Sequence, residues 1–215
     1  MKVKRSTLGV IISLVVLAGL LSLPRGGEKA SASTTLTLVP VADTYVSAAA
    51  PATVYGASNR VIADGSPVSR AFIRFDLTAV TGTVQSARLR LHVVNVLNGS
   101  SPAGGSVAST TSTTWSEAST SWNSQPAIDG PLIGALGAVS RNTWVEIDVT
   151  QAVEAGAIVS LALSSTNANG AYYDSLADAA GITQFVVGTG GKSLSAFGTT
   201  KANSALRFGA SASCG

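Results

Sequence analysis

The run Arg70-Ala-Phe-Ile-Arg-Phe-Asp-Leu77, followed by Val84-Gln-Ser-Ala-Arg-Leu-Arg-Leu-His-Val93, decides the fold class. Apolar and polar residues alternate through both, the period of a strand with one face buried. Ile73, Phe75 and Leu77 take one face; Phe72, Arg74 and Asp76 take the other. In the second run Ala87, Leu89, Leu91 and Val93 face inward, and Arg88, Arg90 and His92 face outward. A helical period fits neither. The connection through Gly82 suits a hairpin-like turn, which sets the two runs side by side with a basic row on the outer side of the sheet.

The same kind of strand recurs on either side. Thr35 to Val39 alternates until Pro40 restricts it, and Ala42 to Val46 follows. Arg60 to Ala63 is a short strand closed by the turn signal Asp64-Gly65, after a loop punctuated by Pro51, Tyr55-Gly56 and Asn59. Ser106 to Thr114 is Ser/Thr-rich and strand-like, whereas residues 127–142 show no clear period. Val145, Ile147 and Val149 form an inward face, Ala157 to Ser164 an apolar strand, and Gln184 to Val187 the last one. Thr150 is placed to cap a short helical turn through Glu154. Short strands with turn signals between them and at most one helical turn predict an all-β chain, an antiparallel β-sandwich of jelly-roll or Greek-key type. No repeat of solenoid or propeller length is present.

Length and charge bound the rest. The chain has 215 residues, of which 12% are charged. Lys2, Lys4 and Arg5 precede an apolar run from Leu8 to Leu23, then Pro24, Gly26-Gly27 and Ala30-Ser31-Ala32. That order reads as a secretory signal over 1–32, cleaved near Ala32, and it leaves no stable membrane span. Retention as an uncleaved anchor is the other reading. Without residues 1–32 the chain has nine basic and ten acidic groups, a net charge of −1, so no nucleic-acid partner is expected. Cys214 is the single cysteine and reads as a free tail thiol. The expected organisation is a signal over 1–32, a sandwich domain over 33–188 and a Gly/Ser/Ala-rich tail over 189–215. The product is expected to be secreted, with cell-surface association left open.

The ordered phrases Ala42-Asp-Thr-Tyr-Val46, Tyr55-Gly56, Arg70 to Leu77, Ala87 to Leu91, Trp115-Ser-Glu117, Ser121-Trp-Asn123 with Pro126, and Trp144 to Thr150 resemble the disaggregatase-related DNRLRE-type domain. The resemblance spans roughly Val41 to Val187. It implies a secreted jelly-roll module that binds polysaccharides, often acidic ones, at the cell surface or beside degrading enzymes. Where the family usually has Ser-Arg-Glu-Ala, this chain has Ser175-Leu-Ala-Asp178, so a site built on that Arg and Glu does not carry over.

Among the residues themselves, Arg74, Arg88, Arg90 and His92 form the leading candidate site. Guanidinium forks match a uronate carboxylate or a sulfate, and neighbouring strands would gather them into one patch. The alternative is a solvated face on which Asp76 and Glu146 pair with the arginines, each pair contributing about 0–1 kcal/mol. Trp144, Tyr172 and Tyr173 are candidate stacking platforms for a sugar ring. Trp115 and Trp122 read rather as packing residues. Asp43, Asp64, Asp148 and Asp174 are candidate oxygen ligands for a structural calcium, although turn and cap roles explain Asp64 and Asp148 equally well. One histidine, in mid-strand, gives little support to nucleophilic catalysis. The reading is a non-catalytic carbohydrate-binding module for an acidic polysaccharide. A structural or adhesive surface module and a small polysaccharide lyase or hydrolase are the alternatives.

Overall fold

The computed structural model describes residues 33–178 and 181–190. The signal over 1–32, the run Ala205 to Phe208 and Cys214 lie outside the described residues.

Eleven strands are described: β1 Thr34–Leu38, β2 Ala42–Ser47, β3 Arg60–Gly65, β4 Val68–Asp76, β5 Thr83–His92, β6 Gly105–Ser109, β7 Leu132–Leu136, β8 Trp144–Asp148, β9 Ile158–Ser164, β10 Ala171–Asp174 and β11 Gln184–Gly190. Short 3-10 turns occupy Trp122–Ser124 and Thr150–Ala152. One sheet has four strands in the order β1-β11-β5-β8. The other runs β10-β3-β4-β9-β6-β7, with β2 also paired to β4. Every pairing is antiparallel, and the two sheets form the expected sandwich.

The quoted runs became β4 and β5, with the inward residues expected. Their pairing differs. β4 pairs with β2, β3 and β9, and β5 with β11 and β8. The two strands belong to opposite sheets, and their connection passes across the core, burying Leu77 and Val80 on the way. Alternation fixes which residues share a face, not which strand lies alongside. Two amphipathic strands bury their apolar sides as well face to face as side by side. Phe75 of β4 and Phe185 of β11 accordingly meet across the core with ring centroids 4.6 Å apart. Each such large side chain contributes about 1.5–3 kcal/mol by leaving water.

Phe72 departs from the expected pattern too. It points to the outer side of its sheet yet is fully buried. The segment between β6 and β7 folds back over that side and makes a second apolar cluster of Ala42, Val46, Phe72, Trp115 and Ala162, with Trp122 and Ile128 packed against it. Trp115 meets Phe72 edge-on at 6.2 Å, and its indole N–H donates to the Ser160 hydroxyl at 2.9 Å. Burying an indole requires such a partner. The four-stranded sheet has no comparable cover among the described residues, and its outer face remains open.

Candidate functional site

The open face is built by β11, β5 and β8. Antiparallel register sets Arg88 opposite Asp148, Arg90 opposite Glu146, and His92 opposite Trp144. On the other side of β5, Gln184 stands opposite Arg90 and Val186 opposite Arg88. Alternation along β5 turns Arg88, Arg90 and His92 outward because Leu89 and Leu91 are committed to the core.

Trp144 is 39% exposed at the end of β8. The Arg90 guanidinium lies 5.0 Å from its ring centroid, and the His92 ring lies 5.1 Å away. Arg90 is fixed by its neighbours: Nε donates to Glu146 at 2.7 Å and Nη1 to Gln184 at 2.8 Å. Arg88 reaches the same glutamate only at 3.8 Å, and its side chain is 54% exposed. The face thus offers a partly exposed indole flanked by a guanidinium and a tilted imidazole, with the more open Arg88 further along β5. Glu146 and Asp148 balance the two arginines, so the row is less basic than its arginines alone suggest.

His92 leads off the sheet. Its Nδ1 lies 2.5 Å from Asp174 Oδ2, the imidazole N–H donating to the carboxylate. Burial pushes the Asp174 carboxyl up from the usual carboxylate range, and the His92 hydrogen bond and charge pull it back. Gly181 packs on this pair so closely that a Cβ there would overlap both side chains. Beyond the pair opens a cleft of about 510 Å³ lined by Asn59, Arg60, Asn95, Val96, Asn142 and Asp178, among others. Arg60 sits 5.8 Å from the Tyr172 ring, and Tyr45 and Tyr55 stack at 4.2 Å.

The other expected site residues are dispersed. Arg74 does not join Arg88 and Arg90; it lies on the opposite sheet, donates to the carbonyls of Thr113 and Trp115, and sits over the Trp115 ring. Tyr173 is no platform, because it is fully buried, its hydroxyl donating to the Gly104 carbonyl at 2.7 Å. Inward alternation along β10 takes Tyr173 into the core and leaves Tyr172 half-buried outside. The four aspartates do not converge. Asp43 accepts from the Leu176 N–H, Asp64 from the Ser66 N–H, Asp148 from the Thr150 N–H, and Asp174 pairs with His92. Among the described residues no three carboxylate, histidine or cysteine side chains come together to hold a metal ion. The four aspartates therefore do not share one ligand set.

The family model of carbohydrate-binding module family 96 matches residues 34–189, the whole sandwich. The chain belongs to carbohydrate-binding module family 96. No curated protein matches it. As a family 96 carbohydrate-binding module, it holds on one side an exposed tryptophan flanked by arginine, and at that side's end a cleft lined by amides. Asn59, Arg60, Asn95 and Asn142, which line the cleft, were not among the site residues expected from the sequence. Each of these asparagines stands in its own loop, where asparagine ordinarily marks a turn.

Proposed function

We propose that this module is secreted, has no catalytic role, and binds an acidic polysaccharide across the outer face of its four-stranded sheet. The observation that carries the reading is Trp144, exposed beside Arg90, which itself stands two strand positions from the more open Arg88. An indole covers the C–H face of a pyranose, and a guanidinium with spare donors meets a uronate carboxylate or a sulfate. The single histidine is turned to Asp174, and Glu146 to Arg90; both serve structural pairs rather than a nucleophile or acid aimed at an open site. The basic start, apolar run and Ala30-Ser31-Ala32 support export.

Titration calorimetry of the domain against alginate, pectate, a sulfated glycan and neutral glucans tests the reading. Binding confined to the anionic polymers, weakened by salt and reduced at least tenfold in Trp144→Ala, is expected. Binding of neutral glucans alone would refute the acidic specificity and leave Trp144 as the platform. An assay for unsaturated or reducing-end products on the same polymers tests the absence of catalysis. The mass of the exported protein tests cleavage after Ala32.

A further inference from the structure

The cleft beyond His92 differs from the sheet face in its chemistry. Its ionisable lining is mixed in sign: Arg60 stands with Asp178 and with Asp174, whose carboxylate is engaged by the His92 ring. What remains is neutral hydrogen-bonding capacity. Among the described residues, the side-chain amides of Asn59, Asn95 and Asn142 have no hydrogen-bond partner, and each of these residues is exposed. An amide offers two donors and an acceptor, which matches adjacent ring hydroxyls that each donate and accept. Asn142 is held at φ 58°, in the left-handed region that asparagine tolerates and most residues avoid. Its backbone N–H donates to the Val93 carbonyl at 2.9 Å, fixing that conformation at the cleft wall. Val96, 39% exposed, adds apolar surface for ring C–H groups. A volume of about 510 Å³ falls within the range of small-molecule sites, roughly 300–1,000 Å³.

We propose that this cleft is a second sugar subsite, which takes the vicinal hydroxyls of an uncharged ring edge through Asn95 and Asn142 while the neighbouring sugar lies over Trp144. His92 joins the two subsites, because it touches the Trp144 ring on one side and lines the cleft on the other. The inference rests on the carbohydrate-binding reading but not on the acidity of the polymer. The sheet face reads carboxylates; the cleft reads hydroxyl geometry, and so determines which sugar is accepted.

The test uses galacturonate and mannuronate hexamers, the carboxyl-reduced form of each, and cellohexaose. Asn142→Gly removes the amide while permitting the same φ, and Asn95→Ala alters an exposed loop. Each variant is expected to bind about 5–20-fold more weakly to the charged hexamer and to its reduced form alike, as loss of a ligand hydrogen bond requires. Arg88→Ala should weaken only the charged form. The side-chain amide NMR signals of Asn95 and Asn142 should shift on saturation. Unchanged affinity and unshifted amide signals in the presence of a hexamer that Trp144→Ala no longer binds would overturn the cleft subsite and leave the sheet face standing. Failure of every hexamer to bind the wild-type domain would overturn both.

Discussion

The carboxylate of Asp43, on β2, accepts a hydrogen bond of 2.6 Å from the backbone N–H of Leu176, tying the segment after β10 to the opposite end of the chain. Asp43 is only 2% exposed. Burial pushes its carboxyl up to about 6, against the pull of the Leu176 N–H and with a further push from Glu117, whose side chain accepts from the Asp43 backbone. A raised carboxyl pKa means that the folded state holds a proton which the unfolded chain has released. The stabilisation is full below about 4 and is lost as pH rises to about 6; the shift is worth about 3 kcal/mol. Urea unfolding between pH 4 and 7 should therefore show stability falling over that window in wild type. Asp43→Asn keeps an acceptor for Leu176 and should flatten the profile. An unchanged profile in the variant would refute the assignment.

Arg74 illustrates a residue whose sequence signature and structural role diverge. Its guanidinium holds the covering segment through the carbonyls of Thr113 and Trp115. Arg74→Ala should lower stability by about 1.5–3 kcal/mol, the range for a hydrogen bond to a charged group. Polysaccharide affinity at 20 °C should stay unchanged. Denaturant midpoints and calorimetry on one preparation separate the two effects; a binding defect without a stability defect would return Arg74 to the ligand site.

The period of two in β4, β5 and β8 was enough to read the sandwich, because burial of one face leaves a direct trace in sequence. Partnership leaves none. Nothing local in the run from Arg70 to Val93 says that its halves face one another across a core, so the outward arginines looked like one patch when they occupy two sides. Phe72 carried the missing information: a large apolar residue at an outward position signals a covered face. Trp144 was legible as outward from Val145, Ile147 and Val149. The cleft was not, because Asn59, Asn95 and Asn142 come from three separate loops and are joined only by tertiary structure.

The Tyr55-Gly56 phrase has a steric basis. A Cβ on Gly56 would overlap the backbone of Glu117, whose side chain accepts from Asp43. Backbone cannot swing aside as a side-chain tip can, so Gly56→Ala must displace the Trp115-to-Pro126 segment. The expected cost is about 1–3 kcal/mol, typical of overpacking. Thermal unfolding reads the loss, and faster proteolysis within residues 113–126 locates it. A variant as stable as wild type would show that the two segments separate freely.

Glu146 sets how strongly the sheet face attracts an anion. Its carboxylate is 2.7 Å from Arg90 and 3.8 Å from Arg88, so a uronate approaching either arginine meets a resident competitor. Glu146→Gln keeps the shape and removes the charge. Exposed pairs of this kind contribute only about 0–1 kcal/mol to stability, so the fold should tolerate the change. Affinity for a polyuronate should rise about 3–10-fold at low salt, with a steeper loss as ionic strength increases, because only Asp148 then offsets the two guanidinium groups that face the polymer. Affinity for the carboxyl-reduced polymer should not change. Equal gains for charged and reduced polymers would place the effect on the Trp144 platform instead, through a shift of Arg90 over the indole, and would remove Arg88 and Arg90 as the readers of the carboxylate.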